Sequence, residues 1–187
     1  MIKLHFGVES TATTPEGYGN YFAWGEIKLK TIYIGDTYKY GETYDKLTKY
    51  CSYRGCGKNV FFDSKPRLDP EDDTATVNWG GAWRMPIDEE MTELRTQCTW
   101  DWITQNGVKG YKVTGPNGNS IFLPATGSRR GTSLYVNDEG FSASYWSSSL
   151  NTDGPFYAYS LCFYFGGCVS RNSDYRYVGH PIRPVCP

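Results

Sequence analysis

From Tyr159 to Phe165 the chain alternates: Tyr159, Leu161, Phe163 and Phe165 are large and apolar or aromatic, with Ser160, Cys162 and Tyr164 between them. A period of two belongs to a strand with one packed and one open face. The pattern predicts 161 and 163 inward and 160, 162 and 164 outward. Gly166-Gly167 permits a tight turn, after which Cys168 to Ser173 can pair back. Tyr145 to Ser149 opens the same terminal sheet, and Pro181 to Cys186 forms a proline-flanked last strand.

Upstream, Ile2 to Val8 alternates loosely and predicts a first strand, and Tyr21 to Glu26 a short aromatic one. Between 28 and 68 tyrosines are scattered without a period, and little regular structure is assigned. Asp69 and Pro70, with acids behind them, have the form of a helix start, and Gly80-Gly81 sets the latest end of that helix. A stronger helix follows Pro86. Asp88, Glu89 and Glu90 fill its first turn, Arg95 lies near its end, and Ile87, Met91, Leu94 and Cys98 share one face. Gly115-Pro116-Asn117-Gly118 between 110–114 and 120–123 predicts a hairpin. Residues 128–140 read as loop. With no linker and no repeat, 1–187 is expected to be one domain.

Composition sharpens the picture at one end. Ser147 to Pro187 contains no Lys, Glu, Gln, Met or Trp, whereas the preceding 146 residues hold 10, 9, 2, 3 and 6 of them. At that frequency an empty window of this length has a chance on the order of 10^-4. Tyr, Ser, Gly, Asn, Asp, Arg, Cys and Phe replace them, several being the residues that binding loops use. The chain has 187 residues, 17% aromatic, with 16 Tyr and 21 Gly, a mix suited to short strands and turns. A net charge of −1 gives no basic footprint for nucleic acid. No apolar run is long enough for membrane insertion. The N-terminus lacks a signal-peptide core and cleavage site.

Six cysteines (51, 56, 98, 162, 168 and 186) show no paired CxxC spacing, which argues against zinc. Cys51 and Cys56 are read as incidental. Asp69, Glu71, Asp72 and Asp73 offer carboxylates in close sequence, as calcium requires. Without EF-hand spacing, capping and a solvated acidic turn are the favoured reading, and no metal or cofactor is assigned. His5 and His180 neighbour no nucleophile in sequence; His180 is expected at the surface or in the variable region.

In chain order, YFAWGE (21–26), LDPEDD (68–73), WGGAWRMP (79–86), TELRTQCTW (92–100), NGVKGYKVTGPNGNSIFLPATG (106–127), YWSSS (145–149) and RPVC (183–186) resemble the Fibrobacter succinogenes major paralogous domain nearly end to end. That family, common in gut Bacteroidetes and their phages, resembles the C-type lectin-like fold, as do the formylglycine-generating enzymes. The resemblance implies an α+β domain of small, mostly antiparallel sheets with two helices and long loops, and adjacent first and last strands. It also implies a helix-to-last-strand disulfide, Cys98–Cys186. Ile87 departs from the family's capping Thr, so Asp88 or Pro86 must start the helix. The calcium-binding sugar triplets of such lectins are incomplete here: Gly115-Pro116-Asn117 lacks a carboxylate and Val136-Asn137-Asp138 lacks the Trp.

The terminal stretch also resembles the variable region of a diversity-generating retroelement target. Such elements randomise adenines of a template; AAC codons become NNC, which cannot encode Lys, Glu, Gln, Met or Trp. Their A-Y-x-L-x-F pattern falls on Ala158, Tyr159, Leu161 and Phe163. The implied variable positions are Phe156, Tyr157, Ser160, Cys162, Tyr164, Ser170, Asn172, Ser173, Asp174, Tyr175, Tyr177 and Val178. Ten of them, all but Ser170 and Val178, are expected to form one exposed patch. The resemblance thus implies a non-enzymatic binding protein on a bacterial envelope or phage virion, meeting a protein or glycan on another cell. A formylglycine-generating-type enzyme is the alternative, suggested by Cys162 and Cys168, although accidental NNC outcomes explain those two better. A structural envelope module without a diversified site is the third reading.

Overall fold

Helix α2 (Asp88–Gln97) starts without a capping side chain of its own, and two others supply the missing acceptors. The Ile87 amide donates to Glu90 Oε2 at 2.9 Å, and the Asp88 amide donates to Ser149 Oγ at 3.1 Å. Arg84 grips both oxygens of Glu90, at 2.7 and 2.6 Å, which holds that carboxylate in place. The start that the sequence assigned to Asp88 or Pro86 is therefore made by Glu90 from inside the helix and by Ser149 from a distant strand. The preceding helix, α1 (Thr74–Trp79), begins later than expected. Asp73, not Asp69, is its N-cap, accepting from the Thr76 amide at 2.9 Å, and Gly80 ends it with φ 66°.

The computed structural model describes residues 12–41, 46–134 and 139–186. The expectations for Ile2–Val8, for its pairing with the last strand, for His5 and for Val136-Asn137-Asp138 lie outside these residues. The fold is α+β, with two three-stranded antiparallel sheets. The first contains β1 (Thr99–Gln105), β2 (Val108–Thr114) and β3 (Ser120–Pro124) in that order. A two-stranded ladder, β4 (Arg129–Arg130) with β5 (Ser133–Leu134), crosses the predicted 128–140 loop. The second sheet contains β6 (Ser142–Leu150), β7 (Tyr157–Tyr164) and β8 (Cys168–Tyr175). Gly166 and Gly167 form the β7–β8 turn with φ 105° and 97°, values that disfavour any residue with a Cβ. Residues 21–26 and 181–186 make single bridges, Phe22 with His180 and Arg84 with Val185, rather than the strands expected of them. Among the described residues no helix is long and apolar enough to cross a membrane.

Helix α2 packs against β6, β7 and β8. Met91, Tyr111, Val113, Leu123, Tyr145, Leu161 and Phe163 form one buried cluster between that helix and the two sheets. A second cluster draws four of its rings from the segment that had shown no period. Tyr33, Tyr38, Tyr40 and Tyr50 are buried with Trp24 and Trp146. The two indoles are tied crosswise: Trp24 Nε1 donates to the Ser147 carbonyl and Trp146 Nε1 to the Phe22 carbonyl, both at 2.9 Å.

Arg176 lies within this aromatic cluster, 1% exposed. Its Nε donates to Tyr38 Oη at 2.9 Å, Nη1 to the Tyr50 and Pro155 carbonyls at 3.2 and 2.8 Å, and Nη2 to the Lys49 carbonyl at 3.1 Å. The rings of Trp24, Tyr38, Tyr40 and Tyr50 surround the guanidinium at 5.0 to 5.9 Å. A buried charge is tolerated only when its donors are satisfied, and here neutral oxygens and π faces satisfy them. Beside this cluster Cys51 and Cys56 are bonded to each other, so this pair, read as incidental, is a structural bridge. Its loop is pinned by Asp63, which accepts from the Tyr50 and Cys51 amides at 2.8 and 2.9 Å.

Arg176→Ala should lower stability by about 3–5 kcal/mol, because it opens a cavity and strands three buried carbonyls. Arg176→Lys keeps the charge but cannot reach the same four acceptors, and should recover only part of the loss. Urea unfolding of both variants measures this; a loss under about 1 kcal/mol for Arg176→Ala would show that the cage is dispensable.

Candidate binding cleft on the terminal sheet

The register of β6–β8 decides which side chains share a face. Ser144 opposes Cys162, Ser142 opposes Tyr164, Cys162 opposes Ser170 and Ser160 opposes Asn172. The pleat then aligns Ser142, Ser144, Tyr164, Cys162, Ser160, Ser170, Asn172 and Asp174 on one face. Tyr157, Tyr159, Ser173 and Tyr175 belong to the other. Leu161 and Phe163 point into the core, as the alternation predicts.

The open face departs from expectation at Ser160 and Cys162, which are buried. The chain beyond β8 folds back over this face: His180 packs on Trp146, ring centroids 4.4 Å apart, and Trp146 stands opposite Ser160 in the ladder. Strand β7 is thereby covered on both sides until Tyr164, which is 48% exposed. Phe165, expected inward, is 63% exposed because it lies in the turn beyond the last ladder pair. Phe156 and Val178 are also buried, Phe156 against Leu47 and the Cys51–Cys56 bridge.

The ten positions expected to share one patch therefore form none. Tyr164, Asn172, Ser173 and Asp174 line one cleft of about 380 Å³, together with Gly127, Ser128, Arg130, Ser142, Ser144 and His180. On the opposite side Tyr157, Tyr175 and Tyr177 form a ladder of rings, with centroids 4.6 and 5.2 Å apart. Beside it the Arg171 guanidinium lies 3.6 Å from the Tyr159 ring centroid, and its Nε donates to Asp88 of α2 at 2.7 Å. Ser170 is half-buried and lies outside the cleft lining.

Asp174 organises the cleft. One carboxylate oxygen accepts from Arg130 Nη2 at 2.6 Å, and the other lies 3.1 Å from His180 Nε2. Burial by itself would raise its pKa. The bond and charge of His180, with the Arg130 charge, outweigh burial and hold the carboxyl below its ordinary range. His180, expected at the surface, is 1% exposed, and its Nδ1 has no partner among the described residues. The sequence reading missed Arg130, Ser142, Ser144 and His180, since the ladder that carries Arg130 was read as loop.

The acidic turn is also filled from within the chain. Asp69, Glu71 and Asp72 come close enough to hold a cation. Lys49 Nζ already sits among them, at 2.6, 3.1 and 2.6 Å. Tyr50 Oη donates to Asp72 at 2.6 Å, and the cluster braces the base of the aromatic cage.

A second, more apolar cavity of about 520 Å³ lies between α2, β3 and residues 183–186. Cys98 and Cys186 both line it, and both are free thiols, so the predicted bridge is not formed. Cys162 and Cys168 are free as well. Burial, aided by Glu93, pushes the Cys98 thiol pKa up, which makes it a poor nucleophile.

Comparison with protein-family models, curated proteins and solved structures found no match to this chain.

Because the folded pKa of Asp174 lies below its unfolded value, the stability it contributes is complete above about pH 4 and is lost as pH falls further. Asp174→Asn should therefore be destabilised relative to the parent at pH 7, with the gap narrowing below about pH 4. Denaturant unfolding at a series of pH values tests this; a gap independent of pH would mean that the carboxylate charge is not what holds Arg130 and His180.

Proposed function

We propose that the chain is a non-enzymatic ligand-binding protein of the C-type lectin-like fold, related to the Fibrobacter succinogenes major paralogous domain. Its terminal region, 147–187, is diversified by a retroelement in a gut bacterium or its phage. On an envelope or virion surface it would present this region to a protein or glycan on another cell. The observation that carries the reading is the absence of the five NNC-inaccessible residue types after Trp146. The convergence of Tyr164, Asn172, Ser173 and Asp174 on one cleft supports it.

The enzymatic alternative has less behind it. Cys162 is buried, and neither it nor Cys168 is paired. Ser, His and Asp do share the cleft, but His180 turns Nε2 to Asp174 while Nδ1 lies buried without a partner among the described residues. That arrangement orients a carboxylate rather than activating a nucleophile.

Sequencing the gene's neighbourhood is the direct test: a reverse transcriptase and an adenine-bearing template repeat are expected, and their absence would leave the structural-module reading ahead. At the protein level, Tyr164→Ala with Asn172→Ala should abolish capture of the ligand, with stability changed by less than about 1 kcal/mol. Leu161→Ala should do the reverse, costing roughly 2–5 kcal/mol.

A further inference from the structure

The one carboxylate of the cleft beside β8 is already paired. Asp174 is met by Arg130 on one oxygen and by His180 on the other, so its negative charge is matched within the cleft. Among the described residues the remaining lining is Gly127, Ser128, Ser142, Ser144, Asn172, Ser173 (whose side chain belongs to the other face of the sheet) and a single ring, Tyr164, with no aliphatic side chain. A protein ligand normally seats an apolar or aromatic anchor in a pocket. Here such an anchor would strip water from hydroxyls and amides and give nothing back, leaving buried polar groups unpaired.

A sugar fits these groups. Each of its hydroxyls both donates and accepts, as do the Ser hydroxyls and the Asn172 amide. Asn172 is exposed, and Tyr164, nearly half exposed at the mouth, offers a ring face to the C–H side of a sugar. The volume lies in the small-ligand range. The acids that could hold a cation, Asp69, Glu71 and Asp72, are not part of the lining and are occupied by Lys49. Taking this face as the ligand site, as proposed above, we infer that the cleft binds the end of a neutral glycan without a metal ion.

The test applies the 187-residue chain, in EDTA, to an array of immobilised neutral and acidic oligosaccharides, then measures hits by calorimetry with the soluble sugar. At least one neutral glycan should be retained in EDTA. Asn172→Ala and Tyr164→Ala should each weaken it at least tenfold, with the melting temperature within a few degrees of the parent. Retention of acidic glycans only, a requirement for calcium, retention of a protein bait but no neutral sugar, or binding indifferent to both substitutions would overturn the inference. Any of these outcomes beside a reverse transcriptase and template would leave the diversification reading intact. A neutral glycan held by this cleft in a gene lacking that machinery would sink diversification alone.

Discussion

Arg176 constrains more of this molecule than any other single side chain. Its guanidinium ties residues 49–50, 155 and the Tyr38 hydroxyl to the end of the terminal sheet, and among the described residues no carboxylate pairs with it. Its backbone works in the same place: its carbonyl accepts from the Trp24 amide at 2.8 Å and its amide donates to the Phe156 carbonyl at 3.0 Å. The irregular segment 28–68 is held largely by this centre and by the Asp63 and Asp72 carboxylates, rather than by ladders of its own. Asp72 braces this centre by accepting from Tyr50 Oη; burial would raise its pKa, but Lys49 and the other donors hold it well below the usual range.

The same residue sets the display geometry. With 176 fixed inward, its neighbours Tyr175 and Tyr177 must turn out, and their rings stack at 19° to one another. Asp174, two residues earlier, stays beside Arg130 and His180. The buried arginine thus separates an aromatic ladder from a polar cleft.

How much of this was legible depended on range. Local signals served well: the period of two aimed Leu161 and Phe163 into the core, Gly166-Gly167 made the turn, and the acid-led pattern after Pro86 made α2. One local signal went unread, since Asn106-Gly107, with φ 48° and 84°, closes the β1–β2 hairpin as a two-residue turn should. Long-range facts were not in the pattern. A strand's period cannot reveal that residues 176–182 return across its open face, which is why Ser160, Cys162 and His180 were expected outside. Tyr38, Tyr40 and Tyr50 carry no period because their common partner is a point, Arg176, and not a sheet. Asp69 and Asp73 look alike as caps; Asp73 is the one that also receives the Met85 amide, at 2.9 and 3.1 Å, a contact across 12 residues.

This burial pattern bears on what diversification can achieve. NNC codons would offer positions 160 and 162 everything from Gly to Phe, Tyr and Arg. Ser160 is 1% exposed and Cys162 2%, so a large side chain there would have to displace the returning segment and the His180–Asp174 contact. Overpacking of that kind costs about 1–3 kcal/mol or more. Productive variation at these two sites is therefore confined to small residues, and Ser and Cys are such residues. Tyr164, Asn172 and Tyr175 meet solvent and have no such limit. If the terminal region is diversified as proposed, recognition and stability would be divided along β7 at the last pair of its ladder, Tyr164 with Cys168.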